Sequence, residues 1–280
     1  MYHPRQNLVL CGVQVGCVGA LIGLRLNESM LKQATCFAAL LLMAACSSGS
    51  VSDDSAKDKE KLTADRSEVE AYEQNDTTLS GEQNGKDFVN KVDGKDLVSA
   101  LKDGGHVVYL RHTKTVKDWG DQVSPELNLA DCNTQRRLST EGKADAKAIG
   151  EGIKAAGIPV GDVISSDYCR AYNTADLAFG NYTKNSKLNF LPCVECTPED
   201  YKEYAARVSP LMSAKPEAGK NTFLVGHDDP FQGVTMPVVP TNGIYPAPMG
   251  VAYVVKPMGD GKFELIAKIL PNQWQDLAQL

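Results

Sequence analysis

Two short apolar runs constrain this chain more than any other feature. Val107-Val108-Tyr109-Leu110 leads directly into Arg111-His112, and Phe223-Leu224-Val225 leads directly into Gly226-His227. An unbroken apolar stretch of this length, with no polar alternation, reads as a strand covered on both faces, as in a parallel sheet. The segments around these runs have helical spacing. Asp96 can cap a short helix carrying Leu97, Val98 and Leu101 that stops at Gly104-Gly105. Ser139 can cap the next, with Glu141 in its first turn, a stripe of Ala146, Ile149, Ile153 and Ala156, and a stop at Gly157 and Pro159. Val163-Ile164-Ser165 is a short strand, and Asp167 can cap a helix through Leu177. Thr197-Pro198-Glu199-Asp200 opens another helix, with Tyr201, Tyr204, Ala205, Val208 and Leu211 as its inner stripe. Val251–Lys256 and Phe263–Leu270 pair through Gly259-Asp260-Gly261. Strands separated by helices imply an α/β fold, a three-layer α/β/α sandwich around a mostly parallel central sheet.

Ligands of such sheets bind beyond the carboxyl ends of the strands. His112 and His227 both stand on that rim, and the strand ending at Ser165-Ser166 delivers Cys169-Arg170 to it. A single strand-end histidine is more often a satisfied structural residue, but two in matching contexts point to chemistry. Arginine has a planar fork that matches phosphate oxygens two at a time, and imidazole is an uncharged nucleophile near neutral pH. Residues 86–280 hold only five arginines, and four of them (Arg111, Arg136, Arg137 and Arg170) lie in or beside these segments. Phosphate chemistry is the reading these residue types support.

Four motifs then occur in order. They are Arg111-His112-Thr113, Arg137-Leu138-Ser139 with Gly142, Ser165-Ser166 with Cys169-Arg170-Ala171 and Thr174-Ala175, and Gly226-His227. Together they resemble the histidine phosphatase superfamily, which includes phosphoglycerate mutases and acid phosphatases, over roughly residues 93–275. Gly157-Ile158-Pro159-Val160 with Cys132 and Cys169 is similar to an exported bacterial branch of it. The resemblance implies that His112 takes the phosphoryl group as nucleophile, while Arg111, Arg170 and His227 form the positive pocket around it. It lets Arg137 orient the Arg170 loop or touch substrate, with a surface or core-edge role as the equal alternative, places Thr113 on the substrate side, and needs neither metal nor cofactor. Asp228 ranks first as proton donor and Glu195 second, because Glu199 and Asp200 are already explained as helix-start acids. Where many relatives carry Gly and then Glu after the first histidine, this chain has Thr113 and Lys114, which favours a hydrolase over a mutase.

The amino-terminal part reads as an address. Residues 1–45 form a signal peptide region, in which Met30-Leu31-Lys32 offers a second start before the apolar run Phe37–Ala45. That run is too short to span a bilayer as a mature helix. Leu8–Leu26 is a further apolar run, either a membrane segment or a stretch upstream of a true start at Met30. Leu42-Met43-Ala44-Ala45-Cys46 resembles a bacterial lipobox, which implies lipidation of Cys46, and Ser47 after it implies the outer membrane. Residues 46–85 then form a tether. Between 47 and 85 there are ten acidic and four basic side chains and few large apolar ones, so the segment cannot bury enough surface to offset chain entropy. The catalytic domain is assigned to 86–280.

Four cysteines lie in that domain, and in an exported protein they allow three pairings. Cys132–Cys169 with Cys193–Cys196 is the preferred set. Val116–Thr134 reads as a long loop that can cover the pocket, with Trp119 either against substrate or buried as structure. A net charge of −6 and a pI near 5.3 argue against nucleic acid as a partner. The expected partners are a phosphorylated small molecule or envelope glycan and, through the lipid, the membrane. A non-catalytic phosphate- or glycan-binding lipoprotein and a phosphoryl mutase are the alternatives.

Overall fold

The computed structural model describes residues 80–116, 121, 127–191, 196–236 and 243–280, all within the unit Thr63–Leu280. The elements are α1 Gly81–Lys86, α2 Gly94–Asp103, β1 Val107–Arg111, α3 Thr140–Ala155, β2 Val160–Ser165, α4 Cys169–Phe179, β3 Thr183–Lys184, α5 Pro198–Ser213, β4 Asn221–Gly226, α6 Asp228–Thr235, β5 Ala252–Gly259, β6 Lys262–Ile269 and α7 Gln273–Leu277. Six strands form one sheet in the order β3-β2-β4-β1-β5-β6. β3, β2, β4 and β1 run parallel, and β5 and β6 continue the sheet antiparallel.

Successive side chains of a strand face opposite ways, and that alternation builds two cores. Val108, Leu110, Phe223, Val225 and Val254 meet α2, α3, α4 and α7 through Leu101, Ile149, Ile153, Ala171 and Trp274. Val107, Tyr109, Leu224, Tyr253 and Val255 meet α5 and α6 through Val208, Met212, Phe231 and Val234. The fold is the three-layer α/β/α sandwich, and the sequence shows why: β1 and β4 are apolar on both faces because both faces are covered.

Helix starts follow the expected chemistry in two places. The Ser139 hydroxyl accepts from Gly142 N, and Thr197 and Asp200 form a capping box. Elsewhere the boundaries shift. α2 starts at Gly94 behind Asp93, with Asp96 inside its first turn. α4 starts behind Tyr168 and not at Asp167. The fully buried stripe of α5 is Tyr204, Val208 and Met212, and Leu211 packs partly buried against the same core.

Composition places Ser80–Gly85 in the tether, but α1 forms there. Ser80 caps it, accepting from Gln83 N at 3.2 Å, and Tyr245 N donates to Gly81 O at 2.8 Å. A Cβ at Gly85 would run into the Tyr245 carbonyl. Contacts from 160 residues downstream hold a helix that its own apolar content could not. Among the described residues no helix is long and apolar enough to cross a membrane. Cys46 and the signal region lie outside the described residues.

Candidate active site

β1 and β4 are adjacent and in register, Arg111 opposite Gly226, so the residues after each strand emerge side by side. His112 N donates to Gly226 O at 3.0 Å, tying the two ends together. Tyr109 fixes the second histidine. Its hydroxyl donates to His227 O at 2.9 Å and accepts from His227 N at 3.1 Å. The phenol passes where a Cβ of residue 226 would stand, so glycine is required there by close approach.

His112 is fully buried. Its Nδ1 lies 2.9 Å from Thr113 O, and its Nε2 lies 3.5 Å from Arg136 Nη2. A carbonyl only accepts and a guanidinium only donates. Both contacts therefore put the proton on Nδ1 and leave the Nε2 lone pair facing Arg136. Burial, then Arg170, Arg136 and Arg111, hold the imidazole well below its ordinary pKa, so it is neutral.

His227 is assigned by a relay. Asp167 N and Ser166 Oγ both donate to Asn189 Oδ1 at 2.8 Å, and Asn189 Nδ2 donates to Asp167 Oδ2 at 2.8 Å. With its proton committed to Asn189, Ser166 Oγ must accept from His227 Nε2 at 2.8 Å. His227 Nδ1 is then a buried lone pair with no protein partner. Burial, then Arg170, His112, Arg136 and Arg111, also lower this imidazole well below its usual value. The His227 ring packs on Phe190 at 4.4 Å and lies 5.4 Å from the His112 ring.

Three buried guanidiniums surround the histidines. Arg111 donates to Pro246 O at 2.7 Å, to Asp228 Oδ2 at 2.6 Å and to the Tyr245 hydroxyl at 3.2 Å. Arg170 donates to Asp121 Oδ1 at 2.8 Å and lies over the Tyr168 and Phe190 rings. Arg136 has no carboxylate on its side chain among the described residues, although its backbone N donates to the same Asp121 Oδ1 at 2.8 Å. Burial, then Arg170, pushes Arg136 down to about 10. The Nε atoms of Arg111, Arg136 and Arg170 are buried without a protein partner. Buried polar groups are ordinarily satisfied, so three such N–H donors on three neighbouring arginines suit a ligand with several acceptor oxygens, whereas the His227 Nδ1 lone pair needs a donor.

Asp228 sits at the first turn of α6 and does join the site. Burial would push its carboxyl up, but Arg111, the Tyr245 hydroxyl (2.9 Å) and Arg136 hold it well below the usual carboxylate range. It rests as an anion, so in the free protein it carries no proton to donate. Burial and Asp228 push Tyr245 up to about 12.

Arg137 and Thr113 take other partners. Arg137 is exposed, its Nη1 3.4 Å from Asn133 Oδ1, and Arg136 takes the place beside His112. The signal was available: Leu138 bridges Thr115 in an extended segment, and alternation puts residue 136 on the buried side with Leu138. The Thr113 hydroxyl pairs with Thr174 Oγ1 at 3.2 Å, and Thr113 N donates to the same oxygen at 3.1 Å. Thr113 holds the His112 loop and offers its hydroxyl to another threonine. Sequence reasoning missed Asp121, Asn189 and Tyr245 as well, and gave Ser166 of the Ser165-Ser166 motif no role of its own. Trp119, Cys193 and Glu195 lie outside the described residues. Cys132 and Cys169 form a disulfide, and Cys196 is disulfide-bonded. Among the described residues no group of three or more His, Cys, Asp or Glu could hold a metal.

No protein-family model matches the chain, and no curated protein matches it. Solved structures do. The protein histidine phosphatase SixA complexed with tungstate is similar at 15% identity over 60% of this chain and 98% of that one, TM-score 0.41. A mycobacterial glucosyl-3-phosphoglycerate phosphatase is similar at 17% identity over 58% of this chain and 97% of that one, TM-score 0.39. A phosphoserine phosphatase mutant from Entamoeba histolytica, in complex with phosphoserine, is similar at 13% identity over 58% of this chain and 95% of that one, TM-score 0.41.

Proposed function

We propose that this protein hydrolyses phosphomonoesters through a phosphohistidine on His112, without a metal, and that a lipid on Cys46 tethers it in a bacterial envelope, facing the periplasm. The observation that carries the reading is a buried neutral imidazole whose free Nε2 faces a guanidinium inside a ring of three. A nucleophile, a neutral form that persists at neutral pH and fixed positive charge for the phosphate oxygens are the parts that phosphoryl transfer needs.

The steps are set by charge and geometry. Arg111 and Asp228 neutralise each other, as do Arg170 and Asp121, which among the described residues leaves the Arg136 side chain as the guanidinium without a carboxylate partner. A phosphate dianion adds negative charge to the site and draws Arg111 away from Asp228. Both effects raise the proton affinity of Asp228, so binding loads the acid that the resting site lacks. The Nε2 lone pair of His112 then forms the N–P bond as the P–O bond breaks, and the leaving oxygen takes the Asp228 proton. Water attacks phosphorus next, returning a proton to Asp228, and the N–P bond breaks to release inorganic phosphate. Arg111, Arg136 and Arg170 hold the equatorial oxygens throughout. A phosphorylated small molecule or envelope glycan is the substrate class.

The test uses purified protein with p-nitrophenyl phosphate and with an alkyl phosphate, in chelator, beside His112→Ala and Asp228→Asn. Nitrophenolate leaves without proton help, whereas an alkoxide needs it. Chelator-resistant turnover lost in His112→Ala, acid-labile phosphate trapped on His112, and a selective loss of alkyl ester hydrolysis in Asp228→Asn are the expected results. Turnover that survives His112→Ala would refute the nucleophile. A phosphate-binding protein without turnover is the second reading. What favours it is the resting charge on Asp228, and phosphate binding with no trapped phosphohistidine would select it.

A further inference from the structure

Two of the three guanidiniums at the site, Arg136 and Arg170, are carried by segments that a disulfide joins. Arg170 comes directly after Cys169 at the start of α4, and Arg136 lies four residues after Cys132, beyond a single 3₁₀ turn, Cys132–Thr134. The segment carrying Arg136 has little regular structure of its own. Its described ties to the fold are the Thr115–Leu138 bridge, the hydrogen bond from Cys169 N to Gln135 Oε1 at 2.8 Å, the shared Asp121 oxygen and the disulfide. Gln135 and Cys169 are buried, and both sulfurs lie against the Tyr172 hydroxyl, at 2.9 and 3.1 Å. Two buried cations in one pocket repel each other, and a flexible segment would relieve that by moving Arg136 outward.

We propose that the Cys132–Cys169 disulfide is a positioning element of the phosphate site, holding Arg136 and Arg170 together before phosphate arrives. The inference rests on the reading of His112 and its arginines as a phosphate site and extends it: the oxidised chain is the competent one. Reduction by a dithiol opens the S–S bond to two thiols while the reagent closes to its cyclic disulfide. The Arg136 segment is then held by hydrogen bonds and packing without a covalent tie to α4, and a displacement near 1 Å at such a site costs up to about a hundredfold.

Loss of any cross-link lowers stability, so the discriminating readout is coupling and not melting temperature. Inorganic phosphate binding is measured by calorimetry on the full-length protein in a cycle of wild type, Arg136→Met, Cys132→Ala/Cys169→Ala and the triple variant. Removing the cross-link is expected to weaken phosphate binding about ten- to a hundredfold. Arg136→Met is expected to weaken it by about the same factor in the cross-linked protein, but only a few-fold without the cross-link. Equal affinity with and without the disulfide, or an undiminished Arg136 effect in its absence, would overturn the proposal. If the cysteine variants do not fold, mild reduction of folded protein, with Cys132 and Cys169 thiols confirmed by alkylation mapping, gives the same comparison. A wild type that binds no phosphate would instead refute the phosphate site itself.

Discussion

Arg136→Met should stabilise the free protein while removing most of its activity. The side chain is only 8% exposed, and burial with the nearby Arg170 pushes its pKa from 12.5 to about 10. At 1.36 kcal/mol per unit, that displacement means roughly 3 kcal/mol set against the charged form. Methionine keeps much of the unbranched volume and removes the charge, and replacing buried charge by an apolar side chain of similar size is often stabilising. Some of the gain is lost with the aliphatic contacts and the attraction to Asp228 and Asp121, so a net of about 1–2 kcal/mol is expected. For a domain of this size that raises the melting temperature by about 2–8 °C. Turnover moves the other way: loss of one fixed donor to a developing phosphoryl charge costs about 10²–10³ in kcat. Thermal melts must be run in phosphate-free buffer. Phosphate at about a hundred times its Kd stabilises the wild type by about 2.7 kcal/mol and would reverse the order. A variant that melts lower in phosphate-free buffer and keeps turnover within a few-fold would refute the reasoning on both counts.

Arg137→Ala, at the neighbouring exposed position, should change stability by less than about 0.5 kcal/mol and leave turnover unchanged in the same assays. His112 and His227 should titrate below 6.5 in a histidine NMR titration, because burial and the arginines disfavour imidazolium; a midpoint at or above 6.5 for either would contradict the site electrostatics. The unfolded chain takes up these protons first, so stability should fall as the pH drops below 6.5 and change little above it. Gly226→Ala should keep the fold by circular dichroism but lose most activity. Its methyl would strike the Tyr109 hydroxyl, which holds both backbone groups of His227, and such overpacking costs about 1–3 kcal/mol.

The features legible in the sequence are those set by local chemistry. Val107–Leu110 and Phe223–Val225 announce buried strands because nothing polar interrupts them, and the parallel topology then brings His112 and His227 to one rim. Ser139 and Thr197 announce helix starts because their hydroxyls satisfy backbone groups nearby. The features that were not legible depend on distant partners. α1 exists through Tyr245, and Arg111 is held by Pro246 and Tyr245, residues more than 130 positions away. α6 begins Asp228-Asp229-Pro230, which reads as a turn, yet proline is tolerated in a first turn where the amide has no helical acceptor. The choice between Arg136 and Arg137 was decidable by alternation from Leu138, once the segment was known to be extended.

The residues that sequence rules handle worst are also the ones that make the site. Folding preference alone would not bury three guanidiniums and two imidazoles with, among the described residues, two paired carboxylates, nor leave three arginine Nε donors there without described partners. Asp228 and Asp121 each compensate one arginine, so the cost concentrates on Arg136, whose side chain no described carboxylate meets. That cost is local and removable by a dianion, which brings both the missing charge and the missing acceptors. The surrounding structure opposes relief by movement: Tyr109 pins His227, Thr113 pins His112, and the disulfide with Gln135 pins the segment of Arg136. A site that gathers several unsatisfied donors on neighbouring arginines, and whose supports act on backbone or on ring orientation, is arranged to transfer its unfavourable energy to ligand binding. Arg136 is where that transfer should be largest, and it is the arginine that the motif resemblance passed over for its neighbour.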